Sequence, residues 1–187
     1  MYLEHLVEIS LIEDMNLECK ARLDRNGKFR INEIKRRKSM HKILFVCHGN
    51  ICRSPMAEFV MKDMVKKQGL EDLFHIESAA TSREEIGNSV YPPAKRMLAK
   101  HGISCEGKRA RQVTKADLEY YDEIILMDRN NMGNMIRLFG TDKMSKVSML
   151  LDRDVADPWY TGNFDKTMED VQVGCRKLLQ RLLTNEK

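Results

Sequence analysis

Residues 42–46 (KILFV) form a short, nearly unbroken apolar run that stops at a polar loop containing glycine. A run of that length with no polar alternation is expected for a strand buried on both faces, the situation of a parallel sheet covered by helices. Ser54-Pro55 then predicts a helix start, with Ser54 as N-cap, Pro55 at the first helical position, and an apolar stripe of Ala57, Val60, Met61, Met64 and Val65. Gln68-Gly69 ends it. The alternation repeats downstream. Strands are predicted around residues 74–78, 122–127 and 146–150, and helices around 92–100, 131–138 and 164–183, with His101-Gly102 closing the second helix. Strands alternating with helices imply βαβ units. The fold class is therefore α/β: a single open parallel four-stranded sheet with helices on both faces.

The 187 residues, 42% hydrophobic and 32% charged, suit one domain of 41–187 preceded by an extension of 1–40. In that extension Leu3, Leu6, Val7, Leu11 and Ile12 recur at near-helical spacing, Asn26-Gly27 predicts a hairpin, and Lys35-Arg36-Arg37-Lys38 reads as a solvated linker. Met40 directly precedes the first strand, as a native start would, so the extension is expected to be an upstream start or the remnant of a fused domain, the alternative being an accessory segment that packs on the sheet or recruits a partner. Lys plus Arg exceed Asp plus Glu by 32 minus 28, a net +4 that is weak support for nucleic acid and fits a small anionic group better. No stretch approaches the ~18 apolar residues of a membrane span. Acidic residues interrupt the N-terminus where a secretory leader would be apolar, so a cytoplasmic protein is expected. Cys19, Cys47, Cys52, Cys105 and Cys175 are odd in number and scattered, which predicts free thiols. No C-x-x-C or H-E-x-x-H spacing is present, so neither a metal nor a cofactor is expected.

In open α/β sheets ligands bind at the carboxyl ends of strands, which directs attention to the loop Cys47-His48-Gly49-Asn50-Ile51-Cys52-Arg53-Ser54. Its form is C-x5-R-S. A loop wrapped over a helix N-terminus turns backbone N–H groups inward and binds a tetrahedral dianion. Gly49 is expected to permit the curvature, and Arg53 offers a planar fork to two phosphoryl oxygens. The same positive field favours Cys47 as thiolate, the nucleophilic form. Phosphoester cleavage also needs an acid for the leaving oxygen, and Asp157-Pro158-Trp159-Tyr160 is the best candidate, with Asp152 and Asp154 as rivals. Trp159 and Tyr160 could flank an aromatic substrate.

V-C-H-G-N-I-C-R-S-P-M-A-E at 46–58, H-G-I at 101–103, A-R-Q-V-T at 110–114, I-L-M-D at 125–128 and D-P-W-Y at 157–160 closely resemble the low-molecular-weight protein tyrosine phosphatases of bacterial type, in the right order from about residue 41 onward. The resemblance implies that Cys47 forms a phosphocysteine intermediate, Arg53 holds the phosphoryl group and Asp157 protonates the leaving phenolate. It implies that Asn50, Ser54, Ser78 and His101 support the loop or the nucleophile, and that His48, Gly49, Asn50, Ile51, Cys52, Ser54, Trp159 and Tyr160 contact substrate. Ile51, where protein arginine phosphatases carry Thr, favours phosphotyrosine. Glu84 and Glu85, within Thr81–Gly87, stand where mammalian relatives have an aromatic wall. In the family a pair such as Cys47 and Cys52 can form a reversible protective disulfide. The alternatives are a protein arginine phosphatase or a thiol-dependent arsenate reductase on the same fold; the second would need relay cysteines, and Met127-Asp128 supplies none. A phosphotyrosine protein is the expected partner, bacterial tyrosine kinases being typical targets, and a monomer is the expected state.

Overall fold

The computed structural model describes residues 40–184. The predicted helix, hairpin and basic linker of the extension, with Cys19, lie outside the described residues.

The apolar run becomes β1 (His41–Cys47), whose four residues Ile43 to Val46 are fully buried. Side chains alternate across a strand, so burial of all four requires cover on both faces. On one face Leu44 and Val46 pack with Ala79, Ile124, Leu126 and Met135. On the other, Ile43 and Phe45 lie on the side covered by α1 (Arg53–Lys67), which packs against β1 and β2 (Phe74–Ala80). After β2 come α2 (Pro92–Lys100), α3 (Lys115–Tyr120), β3 (Glu123–Leu126), α4 (Arg129–Phe139), β4 (Val147–Met149), the single turn α5 (Pro158–Thr161) and α6 (Phe164–Thr184). All four strands are parallel, in the order β2-β1-β3-β4. β1 is thus central, and chain direction reverses its outward progress there: β2 lies to one side, β3 and β4 to the other. That switch point opens a crevice at the carboxyl end of β1.

One local reading changes. The first helix begins at Arg53, preceded by Cys52, and no side chain caps it, so Ser54 is not its N-cap. The Ser54 hydroxyl turns inward, 3.1 Å from Cys47 Sγ and 3.3 Å from the Ala79 carbonyl. A cap would have consumed first-turn amides that this loop keeps for an anion. The helix α3 had no clear apolar period and went unpredicted; Thr114 and Asp117 form its capping box.

Candidate active site

The loop after β1 is held from three sides. Thr81 and Ser82 donate backbone N–H to the Cys47 and His48 carbonyls at 2.8 and 3.0 Å, Tyr91 donates to the Ile51 carbonyl at 2.8 Å, and Arg111 N–H reaches Asn50 Oδ1 at 3.2 Å. Ile51 and Cys52 pack with Ala110 against Tyr91 and Phe164. The sharp backbone turn falls on Asn50, with φ of 58°, and not on Gly49. Asn tolerates this left-handed region because its short side chain bonds locally. At Gly49 a Cβ would stand 3.2 Å from Glu85 Cγ, so a side chain there would have to shift Glu85.

Cys47 is at the floor of the resulting cleft, its sulfur accepting the Asn50 N–H at 3.3 Å. Arg53, 3% exposed, reaches the same cleft. Its guanidinium bonds Asp128, Asp157 Oδ2 at 2.5 Å and the Val155 carbonyl at 3.3 Å. Burial opposes its charge, but Cys47, Asp157 and Asp128 outweigh that and hold its pKa above the ordinary value. Asp128 also caps α4 by accepting the Asn131 N–H at 2.6 Å, which fixes the carboxylate that aims Arg53. Asp157 caps α5 through the Trp159 N–H at 3.0 Å, so its other oxygen is presented to Arg53. Burial foremost, then the neighbouring Cys47 and Asp157, push the Cys52 thiol far above the ordinary range, so it stays protonated.

His48, Glu84, Glu85, Trp159 and Tyr160 also line the cleft. His48 Nε2 lies 3.0 Å from Glu84 Oε2, an exposed pair of little energetic weight. Trp159 leans on Tyr91, ring centroids 5.0 Å apart, while Tyr160 is 84% exposed. Asn50 and Ser54 do not line the cleft. They are fully buried behind Cys47, with Ser78 beside them. His101 is elsewhere: it ends α2, exposed, with Nδ1 3.4 Å from Gln172 Nε2. The cation bound to the group behind the loop is Lys108, whose Nζ contacts Glu58 Oε2 at 2.7 Å and donates to the Ser78 carbonyl at 3.0 Å. Asp128, Tyr91, Glu58 and Lys108 were missed as site residues; Asp128 and Glu58 stood inside quoted motifs, whereas nothing local marked Lys108 or Tyr91.

A family model described as low molecular weight phosphotyrosine protein phosphatase matches residues 42–187. The chain belongs to that family. It is 42% identical over 147 residues to low molecular weight protein-tyrosine-phosphatase YfkJ of Bacillus subtilis, covering 75% of this chain and 94% of that protein. The crystal structure of YfkJ matches with a TM-score of 0.77 at 40% identity, over 81% of this chain and 99% of that one. SP-PTP, the low molecular weight protein tyrosine phosphatase of Streptococcus pyogenes, matches with a TM-score of 0.72 at 41% identity, over 76% and 93%. Family membership makes the protein a phosphatase with a protein-tyrosine-phosphatase type of mechanism, built on a phosphate-binding loop that holds Cys47 and Arg53. Among the described residues no helix is long and apolar enough to cross a membrane, and no group of three or more His, Cys, Asp or Glu could hold a metal ion.

The phosphatase loop also depends on a charged cluster at its flank. Arg111, whose N–H anchors Asn50, grips both oxygens of Asp117 at 2.9 and 3.1 Å and Glu77 Oε2 at 3.0 Å, and Tyr121 OH donates to the same Glu77 oxygen at 2.9 Å. Burial works against both carboxylates, yet Arg111, with Tyr121 at Glu77 and Thr114 at Asp117, prevails. Both are held below their ordinary values of 4.5 and 3.8. An acid depressed in the folded state binds fewer protons there than when unfolded, so its stabilisation is present above the unfolded value and disappears as pH falls through the folded one. The urea midpoint is therefore expected to fall progressively once pH drops below about 4.5. In Arg111→Met the fall should be visibly shallower; an identical pH profile would remove this cluster from the account.

Proposed function

We propose that this phosphatase hydrolyses phosphotyrosine in proteins in two steps through Cys47. In the first, the Cys47 thiolate attacks phosphorus in line with the leaving oxygen, the P–O bond to the phenol breaks, and the Asp157 carboxyl gives its proton to that oxygen. Tyrosine leaves and phosphocysteine remains. In the second, water attacks phosphorus as Asp157 takes back a proton, the S–P bond breaks, and inorganic phosphate and thiolate are released.

The observation that carries this reading is the shared grip of Arg53: one guanidinium sits in the cleft with Cys47 and bonds Asp157 at 2.5 Å. Nucleophile, phosphoryl clamp and acid are thereby held around one small volume, the arrangement that proximity requires. An arriving dianion competes for Arg53 and, by like-charge repulsion, favours the protonated carboxyl that the first step needs. Helix α1 brings first-turn amides without a capping side chain, suited to the phosphoryl oxygens. Trp159 and Tyr91 offer an aromatic wall for the phenyl ring, and Ile51 an aliphatic one.

A panel of phosphotyrosine, phosphoserine and phosphoarginine peptides tests the substrate class. Phosphotyrosine should be preferred by at least about 10²-fold in kcat/KM, because a cleft walled by rings rewards a long planar substrate with burial and stacking. A preference for phosphoarginine would replace this reading with the arginine phosphatase alternative. Arsenate reduction coupled to thioredoxin would replace it with the reductase.

A further inference from the structure

Trp159 borders more than the cleft. Its ring leans on Tyr91, and Tyr91 in turn lies against Phe164, with centroids 6.1 Å apart. A recess that shares Ile51, Glu85 and Trp159 with the cleft is also lined by Tyr91 and Arg109. A further groove, again walled by Tyr91 and Trp159, is lined by Arg96, Met97 and Lys100 of α2 and by Phe164 and Asp165 of α6. The cleft holds about 150 Å³ and this groove about 500 Å³. The phosphorylated ring belongs to the first, and neither chemical step gives the second an occupant.

The charges along this surface do not cancel. Arg96 and Lys100 are four residues apart on α2 and so project from one face. Both are exposed, and among the described residues neither has an ion-pair partner, whereas the adjacent Lys95 is bound to Glu106 at 2.6 Å. Asp165 stands in the first turn of α6 and Lys100 in the last turn of α2, each at the helix end whose dipole offsets its charge. Glu85 and Arg109 face the recess as one anion and one cation. Arg96, in the interior of α2, is left unbalanced.

A protein substrate brings its chain to this surface. With the phosphotyrosine in the cleft, the flanking residues lie over the mouth, and Tyr91 and Trp159 lead from there into the groove. Arg96 follows Tyr91 by five residues and Lys100 by nine, which is about 7 and 13 Å along a helix that rises ~1.5 Å per residue. An extended chain gains ~3.3 Å per residue, so the same span corresponds to about two to four residues from the phosphotyrosine. A carboxylate is the side chain that an unbalanced guanidinium retains, because the planar fork can bond both its oxygens.

We propose that the groove beside Trp159 receives the chain flanking the phosphotyrosine, and that Arg96, with Lys100, selects a Glu or Asp two to four residues away from it. The two cations are then specificity-determining residues for protein substrates. The inference rests on phosphotyrosine in proteins being the substrate.

The test measures kcat/KM on a phosphotyrosine peptide with Gln at the second to fourth positions on both sides, and on two peptides in which Glu replaces Gln on one side only. The wild type should prefer one of the Glu peptides over the Gln peptide by about threefold to tenfold, the range of one or two exposed ion pairs. The gain should lie in KM, because contacts remote from phosphorus are made equally before and in the transition state. In Arg96→Gln/Lys100→Gln, with folding checked by circular dichroism, that ratio should fall to within about twofold of unity. In Arg96→Glu/Lys100→Glu the Gln peptide should be preferred. Lys66→Gln/Lys177→Gln removes the same charge from exposed residues outside the groove and should keep the wild-type ratio. Equal kcat/KM on all three peptides in the wild type overturns the proposal. So does a Glu preference that survives both Arg96/Lys100 variants, or one that the Lys66/Lys177 variant loses as well. Self-association of the wild type that the Arg96/Lys100 variants abolish, followed by sedimentation, gives the groove to a second copy of the chain and overturns the proposal too. A wild type that hydrolyses aryl phosphate but none of the peptides is a different result: it overturns the reading of the substrate, and the inference falls with it.

Discussion

Cys47→Ser is expected to leave the fold intact and abolish turnover, lowering kcat on aryl phosphates by at least about 10⁴-fold. Sulfur and oxygen are close in size, and the position is 3% exposed within a loop held by Thr81, Ser82, Tyr91 and Arg111, so little outside the cleft should change. What changes is ionisation. A cysteine thiol is several pH units more acidic than an alcohol, and the loop has no base beside it to deprotonate a serine. Ser54, the hydroxyl 3.1 Å away, is already committed as an acceptor from Asn50. Inorganic phosphate should still bind the loop, because Arg53 and the backbone amides remain. Steady-state kinetics with a chromogenic aryl phosphate reads the loss directly. Residual activity above about one part in 10² would mean that another group attacks phosphorus.

Asp157→Asn should cost about 10²- to 10³-fold in kcat on phosphotyrosine, the range for loss of a general acid. Asparagine keeps one acceptor oxygen, which can still take the Trp159 N–H and hold the α5 cap, while its NH2 replaces the oxygen that accepts from Arg53, so that contact is lost together with the transferable proton. The loss should shrink steadily as the leaving phenol becomes more acidic, since a stable phenolate departs without help. A series of substituted aryl phosphates therefore gives a steep dependence on leaving-group acidity in the variant and a shallow one in the wild type. If the two slopes coincide, the acid is another residue, with Asp128 the nearest rival through its contact with Arg53. Asp152 and Asp154 are weaker rivals: Asp154 caps the Arg129 N–H at 3.0 Å, and neither lines the cleft.

The βα frame and the loop chemistry are legible in the chain before it folds, because both are written in neighbouring residues. An apolar run too short for a helix, a C-x5-R-S loop and a following amphipathic stretch are local patterns, and local patterns carry the strand at His41–Cys47, the order of later elements and the positions of Cys47 and Arg53. The D-P-W-Y motif likewise marked Asp157, though only the sheet brings it 104 residues along the chain to Arg53. What the tertiary structure alone decided is which side chain answers which. Ser54 had the look of a cap and instead faces a sulfur; Gly49 had the look of the strained turn, and Asn50 takes it. His101 shared a motif with the site and lies on the surface near Gln172, while Lys108, in no recognised pattern, bonds the buried Glu58. Helix and strand periodicity depends on residues a few places apart, whereas the pairing of a buried charge depends on which distant segments the folded sheet brings within 3 Å, and no local spacing encodes that.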